Sequence, residues 1–89
     1  MIEKKLMKEL YETLVSIDNT KDCEEFLDDL CTKKEVEQMA QRLKAAKLLK
    51  EGKTYTEIID ETDISSATLS RVSRCIQYGK GYNKILKNK

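Results

Sequence analysis

Ser66, Ala67, Thr68, Ser70, Arg71 and Arg74 form the segment of this chain with the most chemistry to offer. Short hydroxyl and methyl side chains are followed by two guanidinium groups, with no carboxylate among them. On one face of a helix, this order puts small polar groups where the base edges of duplex DNA would lie. The cations further along then suit either bases or phosphates. A helix that enters the major groove needs such a face. Just upstream, Lys53, Thr54, Tyr55 and Thr56 open a shorter helix, whose N-terminal N–H groups and lysine suit phosphate oxygens. The alternative is an αα-hairpin in a helical bundle, in which Ser and Thr only cap helix ends.

Other chemistries are excluded by residue type. The 89 residues contain no His, so nucleophile–imidazole pairs, imidazole proton shuttles and His-ligated zinc cannot be assembled. Cys23, Cys31 and Cys75 include no C-x-x-C pair and lack a fourth ligand for a tetrahedral site. Their odd number fits reduced, packed thiols in a cytoplasm better than a disulfide framework. No paired carboxylates fall in an evident apolar pocket, so an enzyme is not expected, nor is a metal or a cofactor. The longest uncharged stretch, Ile64 to Ser70, is far too short to span a bilayer, and no apolar signal core precedes it. A cytoplasmic protein with no membrane partner is expected.

Net charge is +1, but it is unevenly distributed. Residues 1–63 hold 11 basic and 16 acidic side chains, a balance of −5, whereas residues 64–89 hold six basic and none acidic. An acid-free last quarter is a candidate surface for phosphate. A chain this short buries only about 60–65% of its unfolded surface, so a partner subunit would help it.

The elements that must position these residues are helices, since Pro is absent and only three Gly punctuate the chain. Ile2, Leu6, Leu10, Leu14 and Ile17 recur at helical spacing, and Met7, Tyr11 and Val15 widen the stripe. A first helix from Ile2 to Ile17 with so broad an apolar surface is expected to touch both its own domain and a second chain. Asp18, Asn19 and Thr20 interrupt the pattern before a shorter helix marked by Cys23, Phe26, Leu27, Leu30 and Cys31. Thr32 and Glu35 form a capping box opening a third helix, with Val36, Met39, Ala40, Leu43, Ala46 and Leu49 inward and Gly52 as its left-handed end.

Thr54 and Glu57 form a second box for a helix carrying Ile58 and Ile59. Asp63, which tolerates the left-handed region, makes the turn, and Ser65 or Ser66 caps a helix running to about Tyr78 with Leu69, Val72 and Ile76 inward. Short helix, tight turn, second helix is helix-turn-helix order. The expected organisation is a single domain over 1–89: dimerisation helices in 1–51, the helix-turn-helix in 54–78, and a tail or short helix in 79–89.

From about Cys31 to Ile85 the chain resembles the Trp repressor family, in its YerC/YecD-type branch. The likeness is carried by Thr32-x-x-Glu35, Arg42, Thr54-Tyr-Thr-Glu57, Ala67-Thr68-x-Ser70-Arg71 and Arg74-Cys75-x-x-Tyr78-Gly79. The resemblance implies an all-α, intertwined homodimer with interlocking N-terminal helices and one helix-turn-helix at each end. It also implies a regulator of transcription, repressor-like, that reads a palindromic site on double-stranded DNA. Its recognition helices would stand about 34–36 Å apart to meet successive major grooves. The competing expectation is a helical dimer that uses the same hairpin to bind another protein. In tryptophan-sensing members two arginines sandwich the indole, and Arg42 and Arg71 match them. Val72 replaces a Gly that leaves room for the ligand, and Cys75 replaces a Ser that helps hold its amino group. Any effector pocket would thus be lined by Arg42, Arg71, Val72 and Cys75, and Val72 should fill the indole slot. DNA binding without control by tryptophan, and with another small co-repressor or none, is the implied behaviour.

Overall fold

Residues 3–87 are described by a computed structural model, and all of its regular structure is helical. In chain order the helices are α1 (Lys4–Ser16), α2 (Thr20–Leu30), α3 (Lys33–Lys50), α4 (Tyr55–Thr62), α5 (Ser66–Tyr78) and α6 (Gly81–Ile85). Packing divides the chain into two units, residues 1–36 and 37–89, with the boundary inside α3.

The first unit contains α1 and α2, neither of which has a fully buried residue. Along α1 the apolar side chains of Leu6, Met7, Leu10, Tyr11 and Leu14 are exposed, and Val15 is 84% exposed. Ile2, expected to begin this stripe, lies outside the described residues. Helix α2 starts three residues earlier than its apolar pattern suggests. The cause is Asn19, whose side-chain oxygen accepts from the Asp22 N–H at 2.8 Å and so caps the first turn. The polar residues Thr20, Lys21 and Asp22 are therefore helical rather than a break in the chain.

In the second unit the core consists of Ala45, Ala46, Leu48, Ile58, Ile64, Leu69 and Val72, flanked by Leu49, Ile59, Ile76, Tyr82 and Leu86. Ala45 and Ala46 are completely buried, so this stretch of α3 contributes only methyl groups to the core. This corrects the inward face expected for α3. Ala46 and Leu49 do turn toward the core, but Met39 and Leu43 are 37% and 44% exposed, Ala40 is exposed and Val36 half-buried. Apolar residues occupy two sides of α3. A link of four residues to α4 restricts the core of this unit to the helix's last turns.

That link is set by Gly52. The Lys53 N–H donates to Leu48 O at 3.1 Å and the Gly52 N–H to Leu49 O at 3.0 Å, the paired bonds of a Schellman end, with Gly52 at φ 86°. No neighbouring atom lies within 4 Å of where a Cβ would stand. Gly52→Ala is therefore expected to destabilise by about 1 kcal/mol through the backbone alone, measured by urea unfolding, and Gly52→Asn by less. The capping box at α3 is formed, with the Thr32 N–H donating to Glu35 Oε1 at 2.8 Å and the Glu35 N–H to Thr32 Oγ1 at 3.1 Å.

Candidate nucleic-acid interface

Thr54 begins the segment. Its hydroxyl oxygen accepts from the Glu57 N–H at 3.2 Å, while Glu57 Oε1 accepts from the Thr54 N–H and hydroxyl at 3.0 Å each. These bonds fix the first turn of α4, around which Lys53, Thr54, Tyr55 and Thr56 are all exposed. They also hold the Glu57 carboxyl below its ordinary value of 4.5, the Thr54 N–H contributing most, then its hydroxyl, with a smaller part from Lys53. A carboxyl lowered by folding contributes stability that is complete above its unfolded value and disappears as pH falls through the folded one. Stability is therefore expected to decline as pH drops below 4.5. Glu57→Gln should make this acid limb shallower, as read by urea unfolding at a series of pH values.

At the other end of α4, Asp63 adopts the left-handed conformation (φ 64°, ψ 17°), and its N–H donates to Ile59 O at 2.9 Å. Gln41 on α3 steadies the corner by donating to Thr62 O at 3.2 Å. Ser65 is the N-cap of α5: its hydroxyl accepts from the Thr68 N–H at 3.2 Å and donates to Thr68 Oγ1 at 2.9 Å. Buried Ile64, Leu69 and Val72 anchor α5 from within.

The opposite side of α5 is a strip of exposed residues, Ser66, Ala67, Ser70, Arg71 and Arg74. Thr68 is set apart from them, because it is half-buried and its hydroxyl is engaged by Ser65. Gln77 is exposed one turn beyond Arg74 and extends the strip. It is absent from the residues singled out by sequence, although the recurrence 70, 74, 77 carries the signal, and its amide can pair with adenine or phosphate. No acid interrupts the strip within α5, so its field is that of the two guanidinium groups.

The four residues matched to an effector pocket are dispersed in burial. Arg71 is exposed, Arg42 and Cys75 are half-buried, and Val72, 1% exposed, belongs to the core. A separate cavity of about 480 Å³ lies against Leu43, Cys75, Tyr82, Ile85 and Leu86. Of the four matched residues only Cys75 lines it. Cys23, Cys31 and Cys75 are free thiols, each half-buried. Among the described residues there is no group of side chains able to hold a metal ion, and no helix long and apolar enough to cross a membrane.

The sequence model of the Trp repressor protein family matches residues 5–89. The chain is 45% identical over 75 residues to YerC of Bacillus subtilis strain 168, a protein named as uncharacterised, covering 84% of this chain and 72% of that one. It is similar to a Staphylococcus aureus protein whose crystal structure is described as that of a candidate Trp repressor: TM-score 0.88, 37% identity, 94% of this chain and 84% of that one. It is also similar to the crystal structure of a Trp repressor-like protein from Eubacterium eligens ATCC 27750: TM-score 0.91, 32% identity, 96% of this chain and 89% of that one. The chain belongs to the Trp repressor family, an all-helical family of DNA-binding regulators and not of enzymes.

Proposed function

We propose that this protein is a transcription regulator of repressor type that binds a palindromic operator on double-stranded DNA as a homodimer. The observation that carries the reading is the exposed, acid-free strip of α5, held from behind by Leu69 and Val72 and led into by a turn at Asp63. In this reading α4 and α5 are the helix-turn-helix and α5 is the recognition helix. Lys53, Thr54, Tyr55 and Thr56 meet phosphates at the start of α4. Ser66, Ala67 and Ser70 face base edges, with the methyl of Thr68 at their margin, while Arg71 and Arg74 serve bases or phosphates.

Dimerisation by residues 1–51 is supported by the apolar side chains that α1 exposes and by Met39 and Leu43 on α3. Two copies related by a two-fold axis present two α5 helices to successive major grooves, which is why the site should be palindromic. Regulation then follows from occupation of the operator in the cytoplasm. Control by tryptophan is not part of the reading, because Val72 is a core residue rather than open space beside Arg42 and Arg71.

Selection from a random duplex pool tests this reading. Enrichment of a palindrome with half-sites about one helical turn apart is the expected result. No enrichment, with capture of another protein through α4 and α5, would replace it with an interaction module.

A further inference from the structure

Asn83 lies on the exposed side of α6, yet its amide holds three elements together. Its Nδ2 donates to Ile76 O at 2.7 Å and, more weakly, to Gly79 O at 3.4 Å. Its Oδ1 accepts from Lys50 Nζ at 2.8 Å. One side chain thus bonds the last turn of α5, the residue that ends it, and the last residue of α3. The final carbonyls of any helix lack partners within it, and their satisfaction decides whether the last turn frays. Here the Gly79 N–H takes Cys75 O at 2.7 Å, and Asn83 takes Ile76 O. The Lys50 ammonium on Oδ1 draws charge from the amide and strengthens its N–H donors.

The sterics of the connection agree. A Cβ on Gly79 would stand 2.6 Å from Cys75 O, so glycine is what lets the chain turn directly over the end of α5. Tyr82 and Leu86 then seat α6 on the core and bring Asn83 within reach. The start of α5 is fixed by Ser65 and its middle by Leu69 and Val72. Arg74 and Gln77 project from the last turns of α5, which Ile76 packs against the core and Asn83 and Gly79 tie off at the end.

We propose that Asn83 is a positioning residue for sequence reading: it clamps the carboxyl end of α5 to α3 and so fixes Arg74 and Gln77. The proposal rests on the reading of α5 as the DNA-contacting helix. Base readout depends on placing side chains to within about half an ångström, whereas phosphate attraction is tolerant of small shifts. Asn83 itself carries no charge. Loss of the clamp should therefore weaken selective binding and spare non-specific binding.

The test uses the full chain with Asn83→Ala and Asn83→Asp. In the free protein, amide exchange at Gln77, Tyr78 and Gly79 is expected to accelerate about tenfold in both variants, with Leu69 and Ser70 unchanged. Asp keeps the acceptor for Lys50 but sets a carboxylate against two carbonyl oxygens, so it should be no better than Ala. For Asn83→Ala, affinity for the duplex selected by the unaltered protein is expected to fall about tenfold. Affinity for a scrambled duplex, and its salt dependence, should stay within about twofold. Unchanged exchange overturns the clamp. Equal weakening on both duplexes overturns its role in reading. If the unaltered protein selects no duplex, the DNA reading itself fails, and the exchange measurement alone then decides whether Asn83 anchors α5.

Discussion

Leu69→Ala is expected to cost about 2–5 kcal/mol of stability, enough to leave much of the protein unfolded at 37 °C. Leu69 is completely buried in the cluster that also holds Ile58, Val72 and the alanines of α3, a core with few other fully buried large side chains. The alanines are already at minimal size and close to the backbone, so they cannot collapse into the space a lost isobutyl group leaves. The cavity penalty should therefore persist in addition to the lost transfer energy. Ser70, the next residue along α5, is exposed, and Ser70→Ala is expected to change stability by no more than about 0.5 kcal/mol. Urea unfolding of the two variants compares a buried and an exposed position on one helix turn. A Leu69→Ala variant as stable as Ser70→Ala would contradict the burial of Leu69 in the core.

The second large effect concerns binding. Arg71→Ala combined with Arg74→Ala is expected to lower affinity for the selected duplex at least about 1,000-fold, each arginine being worth about 1–3 kcal/mol in each of the two copies. Both side chains are exposed, so the melting temperature should barely change. The single variants separate the roles. Where an arginine neutralises phosphate, its removal weakens all sequences alike and lowers the log–log salt slope by about 1 per contact. Where it reads a base, the loss is confined to one position of the site. Fluorescence anisotropy with single-base variants of the duplex measures both.

How much of this was legible in the sequence follows from the range of each interaction. The boxes at Thr32 and Thr54, the left-handed Gly52 and Asp63, and the serine cap of α5 all depend on partners within five residues. Residue types at fixed offsets predict such features, and the elements of the candidate interface followed from them. The inward side of α3 was not legible, because its apolar residues lie on two faces and the choice between them is made by α4 and α5. Thr68 could be placed on α5 but not assigned a free hydroxyl, since Ser65 and Thr68 are both capable of capping and of contact. Asn83 gave no signal at all. Its partners are seven residues away in Ile76 and 33 in Lys50, and only the packing of α6 brings them together.

Val72 illustrates the same limit in the opposite direction. Its side chain was expected to close the space between Arg42 and Arg71 on grounds of size. In the structure it is a core residue beside Ile58 and Leu69, so shortening it would open the core as well as any ligand slot. Val72→Gly is thus a poor test of tryptophan control, and direct titration of the unaltered protein is the better one.

In the reading developed above, α5 of a homodimer binds duplex DNA selectively and without control by tryptophan. Fluorescence anisotropy of the selected palindrome, titrated with protein at two salt concentrations with and without tryptophan, tests it most directly. Selective binding that weakens steeply at the higher salt and is the same in both tryptophan arms is the expected result. Binding that is indifferent to salt, equal on a scrambled duplex, or present only with tryptophan would contradict it.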